Sequence, residues 1–127
     1  MFNHVMVGAN DLDQSKTFYD AVLGTLGIKP GFSDDKGRTF WLSPGGVFAI
    51  SKPIDGDAAC HANGGTIGFK AESSEQVDAW HAAGVAAGGT SCEDQPGLRT
   101  GGPASAYMGY LRDPAGNKLC VFCQLPG

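Results

Sequence analysis

The sequence predicts an α+β fold made of two copies of one strand–helix–three-strand unit. A strand pattern from Phe2 to Gly8 is followed by a helix pattern that begins after Asp11. The same order recurs from Gly65, with Ser73 in the place of Asp11. An offset of 62 residues relates the two copies. At this offset Val5 and Val7 correspond to Ile67 and Phe69, which are also apolar. Such a period indicates a repeated supersecondary unit.

The first unit is predicted from its alternation and its helix-capping signals. Alternation places Phe2, His4 and Met6 on one strand face. Asp11 is a predicted N-cap residue, with Gln14 completing a capping box and Gly24 ending the helix. The apolar helix face is predicted to consist of Leu12, Ser15, Tyr19, Val22 and Leu23. Three strands should follow, at residues 28–32, 38–42 and 47–51.

The second unit repeats this plan after a segment without periodicity. Residues 53–64 are predicted to be a linker, so that one domain of residues 1–127 contains module 1 (about 1–52) and module 2 (about 65–127). Ser73 and Gln76 predict the second helix start, and Gly88 and Gly89 its end. The remaining elements are predicted as a strand at 89–93, a loop at 94–104, and strands at 107–112 and 118–124.

Composition excludes several classes of function. The net charge is −4, which argues against a nucleic-acid-binding protein. No apolar run approaches the roughly 20 residues that cross a bilayer, and no leading targeting pattern is visible, so we expect a cytoplasmic protein with no membrane partner. The four cysteines should then be reduced. Cys120 and Cys123 lie in a strand pattern, where their side chains point to opposite faces, so a redox pair is not expected.

Two motifs carry a family resemblance. The first is H-V-x-V-x-x-x-D-L-x-x-S-x-x-F-Y-x-x-V-L-G from His4 to Gly24, and the second is the turn D-P-A-G-N from Asp113 to Asn117. Together they resemble the vicinal oxygen chelate superfamily, which includes glyoxalase I, bleomycin resistance proteins and extradiol dioxygenases. The resemblance implies paired βαβββ modules that form a half-open barrel around a small-molecule ligand. We also expect a homodimer.

The metal-ligand positions implied by this resemblance are only partly filled. His4 matches the ligand of the first strand, whereas Thr66, Cys120 and Ala49 stand at the other positions. His4 and Cys120 are therefore the candidate metal ligands, with Cys60-His61 in the linker as a pair that could be recruited. Hard divalent ions need more oxygen and imidazole ligands than this set supplies. We therefore expect no cofactor, with a divalent metal as the alternative. Besides metal binding, three roles are open to His4: a pocket-lining residue, a base, or a satisfied strand histidine. The alternative role of Cys120 is that of an apolar filler.

Three further residues are candidates for ligand binding, beside His4, Thr66 and Cys120. Arg99 could hold an anionic group. Trp41 and Tyr107 lie in strands that should border the cavity. Alternation allows only one of Phe40 and Trp41 to face inward, and the sequence leaves open which one. Three functions remain: metal-free small-molecule binding, metal-free chemistry with His4 as a base, and a metal-dependent lyase or dioxygenase with an atypical ligand set.

Overall fold

A computed structural model describes residues 1–100 and 105–126 and contains the two predicted βαβββ units. The first unit consists of β1 (His4–Gly8), α1 (Leu12–Gly24), β2 (Phe32–Ser33), β3 (Thr39–Ser43) and β4 (Gly46–Ser51). The second consists of β5 (Ile67–Lys70), α2 (Ser74–Ala86), β6 (Thr90–Ser91), β7 (Gly97–Arg99), β8 (Ala106–Arg112) and β9 (Lys118–Gln124). Both helices have 13 residues, and the predicted offset relates them end to end. The predicted fold class is thus confirmed.

Both helices begin at the predicted N-cap residues. The carboxylate of Asp11 accepts a hydrogen bond of 3.0 Å from the backbone N–H of Gln14. The hydroxyl of Ser73 accepts one of 3.1 Å from the N–H of Gln76. These bonds satisfy amide groups that the first helical turn leaves without a partner. The short polar side chains at these two positions therefore set where each helix starts.

The two units form separate sheets with the same strand order. The first sheet has the order β1-β4-β3-β2 and the second the order β5-β9-β8-β6, with β7 also paired to β8. Strands β1 and β4 are parallel, as are β5 and β9, and the other pairs are antiparallel. Strands β1 and β5 are consequently edge strands of their sheets.

Two predicted segments require correction. The predicted strand at residues 28–32 is observed as β2, which starts only at Phe32 because its pairing partner is Phe40. The predicted loop at 94–104 contains β7, in which Gly97 to Arg99 pair with Met108 to Ala106. A three-residue strand has too short a pattern to be recognised without its partner. Residues 101–104 of that predicted loop lie outside the described residues.

One hydrophobic core joins both helices to one face of each sheet. Phe18 and Trp80, which are related by the 62-residue offset, are both fully buried in it, although Phe18 was not part of the predicted helix face. Trp41, Phe48 and Ile50 belong to the same core. Because strand side chains alternate, the residues between them face away from the helices. We call this second side of each sheet its open face.

Neither helix in the described part of the chain is long and apolar enough to cross a membrane.

Candidate functional site

A groove opens between the edge strands β1 and β5, and we call it the interstrand groove. Its volume is about 1040 Å³. Four segments form its walls: the start of β1, the residues that follow α1, the β3–β4 hairpin, and β5. Representative lining residues are His4, Leu26, Ile28, Leu42, Phe48 and Phe69.

The floor of the interstrand groove is aromatic and belongs to the core. The rings of Phe48 and Phe69 meet edge to face, with 5.4 Å between their centroids. Phe48 also packs on Tyr19, with a centroid distance of 4.6 Å. Phe48 comes from the first unit and Phe69 from the second, so their contact holds the two units together beneath the groove. A ligand in the groove would place apolar groups against these rings.

The rim is polar. The imidazole of His4 is exposed, and its Nδ1 lies 2.8 Å from Asn3 Oδ1. Since an amide oxygen only accepts hydrogen bonds, the imidazole donates from Nδ1 in this contact. Lys29, Lys70 and Glu72 complete the rim. Lys70 and Glu72 form an exposed ion pair of 3.8 Å, a pair weak enough to yield to a charged ligand.

Of the two aromatic neighbours in β3, Trp41 faces the core. Its side chain is 1% exposed, and its indole N–H donates to Asp20 Oδ1 at 2.9 Å. Phe40 therefore lies on the open face, opposite Ala49 of β4. Trp41 borders the interstrand groove from below, as part of its buried wall.

Cys120 lies beside the groove and not in it. Its thiol is on the open face of β9, opposite Gly68 of β5. A Cβ atom at Gly68 would lie 3.1 Å from the thiol sulfur, so the glycine leaves room for the cysteine. Burial raises the pKa of Cys120, and the Glu93 carboxylate raises it further against the opposing charge of Lys118. The thiol is therefore a poor source of thiolate. Thr66 is exposed immediately before β5.

Arg99 and Tyr107 have partners within their own unit. The guanidinium of Arg99 donates to the backbone oxygens of Asp94 and Gln95, at 3.2 and 3.0 Å. The hydroxyl of Tyr107 donates to Asp78 Oδ1 at 2.8 Å, and this bond raises the pKa of Tyr107. Neither residue lines the interstrand groove, so the structure separates them from His4.

The donor groups of one chain do not fit a divalent metal. Within residues 1–100 and 105–126, no three His, Cys, Asp or Glu side chains converge to form a metal-binding set. The rim around His4 consists of the Asn3 amide, the ammonium groups of Lys29 and Lys70, and the Glu72 carboxylate, which is paired with Lys70. Cys60 and His61 are exposed in the linker, next to Ala59, whose backbone bonds to Asn10. Imidazole and carboxylate ligands in a closed geometry are what such ions require.

Several residues that line the groove were not predicted as site residues from the sequence. Lys29 lies in the predicted strand at 28–32, Lys70 lies in the predicted strand that begins at Gly65, and Glu72 follows that strand. Single charged residues are common on protein surfaces and carry no functional signal. Phe48 and Phe69 were predicted only as strand residues. The one available signal was the 62-residue offset. It relates Phe69 to Val7, and therefore makes β5 the counterpart of β1, with an aromatic side chain at this position.

Residues 1–121 match the model of the Glyoxalase/Bleomycin resistance protein/Dioxygenase superfamily. A crystal structure of a glyoxalase/bleomycin resistance protein from Albidiferax ferrireducens is 58% identical, with a TM-score of 0.93 over 97% of this chain and 98% of that chain. No protein of curated function matches the sequence.

More distant structures share the fold alone. A glyoxalase-related enzyme from Fulvimarina pelagi is 21% identical, with a TM-score of 0.74 over 97% of this chain and 87% of that chain. A lactoylglutathione lyase from Agrobacterium tumefaciens is also 21% identical, with a TM-score of 0.66 over 96% of this chain and 92% of that chain. At these identities the same backbone can host different chemistry.

Proposed function

Because this chain belongs to the glyoxalase/bleomycin resistance protein/dioxygenase superfamily, we propose that it binds a small molecule in the interstrand groove. The observation that carries the proposal is the combination of an aromatic floor with a polar rim in the interstrand groove. Its volume of about 1040 Å³ is close to the upper range of small-molecule sites. The fitting ligand has an apolar body and one or two anionic or hydrogen-bonding groups for Lys29, Lys70 and His4.

Binding without a metal agrees best with the donor groups. His4 supplies one imidazole, and in the neutral ring donation from Nδ1 to Asn3 leaves Nε2 as the acceptor. In this role His4 hydrogen-bonds a donor group of the ligand. The same nitrogen can take a proton from a bound molecule, which is the metal-free enzymatic version of this proposal.

We further propose that the open face of the first sheet is covered by a second copy of the chain. Met6, Phe32 and Leu42 on this face are 43%, 54% and 59% exposed. A soluble monomer rarely leaves a contiguous apolar surface of this kind uncovered. A twofold dimer would bury it on both copies at once. Sedimentation measures the oligomeric state: we expect the wild type to be a dimer and Leu42→Glu to be a monomer. Leu98→Glu, on β7 of the other sheet, is the control and should remain a dimer. A monomeric wild type would contradict the proposal.

The groove can be tested with a fluorescent amphiphile, 8-anilinonaphthalene-1-sulfonate, which has aromatic rings and one anionic group. We expect wild-type protein to bind it in a saturable manner and His4→Ala or Lys70→Ala to raise its Kd by about threefold or more, as expected for one lost polar contact. His61→Ala changes an exposed linker histidine and should leave the Kd unchanged. Equal Kd values for His4→Ala and wild type would count against the groove.

Elemental analysis of protein purified without an affinity tag separates this proposal from its alternative. We expect less than about 0.1 metal ion per chain, which is the level that trace contamination gives. One ion per chain that disappears in His4→Ala would instead favour a metal-dependent lyase or dioxygenase with an atypical ligand set. Loss of that ion in His61→Ala would identify the linker pair as ligands.

A further inference from the structure

Asn117, in the turn between β8 and β9, bonds to both units of the chain. Its Nδ2 group donates to Asp113 Oδ2 in its own turn and to the backbone oxygen of Gly8 in β1, both at 2.9 Å. An amide nitrogen carries two hydrogens, so these bonds use its full donor capacity. Asn117 is 7% exposed, and Asp113 is 4% exposed. A buried side chain of the second unit therefore holds the last residue of the strand that carries His4.

The carbonyl of Gly8 points out of its own sheet edge. On either side of β1, the carbonyl of Asn3 accepts from the amide of Val47 in β4, and the amide of Ala9 donates to the carbonyl of Ser51 in β4. Backbone groups alternate in direction along a parallel strand, so odd-numbered residues face β4 and Gly8 faces the second unit. The Asn117 side chain thus supplies a donor for a backbone carbonyl that, on an edge strand, would otherwise have no hydrogen-bond partner.

Asp113 is in turn held by the first unit. The hydroxyl of Tyr19, on α1, donates to Asp113 Oδ2 at 2.5 Å. The other oxygen of Asp113 accepts from the amides of Ala115 and Asn117, both at 2.9 Å, and these bonds lie within the turn. The bonds to Tyr19 and, through Asn117, to Gly8 instead connect the turn to the first unit. They fix its location relative to α1 and β1.

We propose that Asn117 is a positioning residue for the ligand-binding site. It fixes the carboxyl end of β1 against the second unit, and so sets the spacing of β1 from β5 and the place of His4 at the rim of the interstrand groove. Tyr19 supports it by orienting the Asp113 carboxylate. This inference rests on the proposed function, because it takes the groove as the site. Groups that support a site from outside it commonly decide its geometry in this way.

The test compares Asn117→Ala and Tyr19→Phe with Ser91→Ala. Ser91→Ala is the matched control, because it removes a partly buried side-chain hydrogen bond, to His81 at 2.9 Å, that lies within one unit. Two quantities are measured below the unfolding temperature: the Kd of 8-anilinonaphthalene-1-sulfonate, and the backbone amide NMR shifts of residues 3–5 and 68–70, at the far end of the groove. We expect the two test variants to raise the Kd threefold or more and to move these shifts, and Ser91→Ala to do neither.

The remaining outcomes also decide the question. A folded Asn117→Ala protein with a lower melting temperature but wild-type Kd and wild-type shifts at residues 3–5 and 68–70 would mean a purely structural role and would overturn the proposal. If Asn117→Ala does not fold, Tyr19→Phe decides by the same criteria, since it removes a single hydroxyl. If the wild type does not bind the amphiphile, the proposed function fails, and the amide shifts alone test the positioning.

Discussion

The hydroxyl of Tyr19 lies 2.5 Å from the carboxylate of Asp113, although 94 positions separate the two residues in the sequence. Both side chains are buried, and each belongs to a different βαβββ unit. Burial raises the pKa of Tyr19, and the Asp113 charge and hydrogen bond raise it further, so the hydroxyl remains a donor. The two units are therefore joined by a buried polar contact as well as by the Phe48–Phe69 floor.

Replacing Asp113 with alanine should destabilise the protein strongly. The change leaves the Tyr19 hydroxyl and the Asn117 side chain without their acceptor in a buried environment. An unsatisfied buried polar group costs about 1–3 kcal/mol, so we expect a loss of about 3 kcal/mol in the free energy of unfolding, measured by urea denaturation. Asp57→Ala, in the exposed linker, should change it by less than about 0.5 kcal/mol. Similar values for the two variants would show that the buried carboxylate is not needed.

Replacing Gly84 with alanine tests the contact between the two helices. A Cβ atom at this position would lie 2.2 Å from Leu111 Cδ1 and 3.0 Å from Val22 Cγ1. A helical alanine is otherwise favoured over glycine by about 1 kcal/mol, but overpacking of a core costs about 1–3 kcal/mol. We expect a lower melting temperature for Gly84→Ala.

The control for this prediction is Gly24→Ala at the end of α1. A Cβ atom there would have no described atom within 4 Å. We expect this variant to melt at or above the wild-type temperature. A stabilised Gly84→Ala protein would mean that α2 can move away from α1 at little cost.

His81 should make the stability depend on pH between about 8 and 5. Burial lowers the pKa of His81 from its ordinary value of 6.5, and the nearby Asp78 carboxylate opposes this only in part. The unfolded chain therefore binds a proton more readily than the folded one, so the stabilising contribution is present above pH 6.5 and is lost as the pH falls through the folded-state pKa. His81→Gln should show a shallower fall in melting temperature over this range.

The carboxylates with lowered pKa values do not contribute to the change in melting temperature between pH 8 and 5. The pKa values of Asp20 and Asp34 lie below the ordinary 3.8: burial acts to raise both, and hydrogen bonds led by those from Lys16 and Arg38, respectively, outweigh it. Their contributions are lost only at more acidic pH. Equal slopes for His81→Gln and wild type between pH 8 and 5 would exclude His81 as the source.

The four thiols should react with an alkylating agent in the order of their exposure. Cys60 is exposed, Cys92 is half-buried, and Cys120 and Cys123 are buried. Burial also raises the pKa of Cys92 and of Cys120, which reduces their thiolate fraction. Mass spectrometry of the native protein should show rapid labelling of Cys60 alone, and denaturation without reductant should expose all four thiols. A Cys120–Cys123 disulfide would contradict the strand geometry of β9.

The sequence predicted the helices and most strands because their signals are local. The N-cap bonds at Asp11 and Ser73 span three residues, and the strand alternation repeats every second residue. The 62-residue offset then joined these local elements into two equivalent units. Strand β7 was missed for the opposite reason, since three residues acquire their identity only by pairing with β8.

The candidate site was less accessible to sequence reasoning. His4 was identified from its strand and its family resemblance, and the structure places it at the rim of a groove. The choice between Phe40 and Trp41 depended on the Asp20 carboxylate, which lies 21 residues before Trp41 and gives its indole a buried partner. Arg99 and Tyr107 were expected near the ligand, but each bonds within its own unit, and no local pattern reveals such partners.

The sequence by itself determined two βαβββ units, their helix starts, the single histidine of the first strand and the scarcity of metal ligands. The tertiary structure alone decided that Phe48 meets Phe69, that Asn117 holds Gly8, and that a groove opens between β1 and β5. The physical reason is the range of the interactions. Caps and alternation act over a few residues, whereas these contacts depend on how two separately formed sheets pack around shared helices.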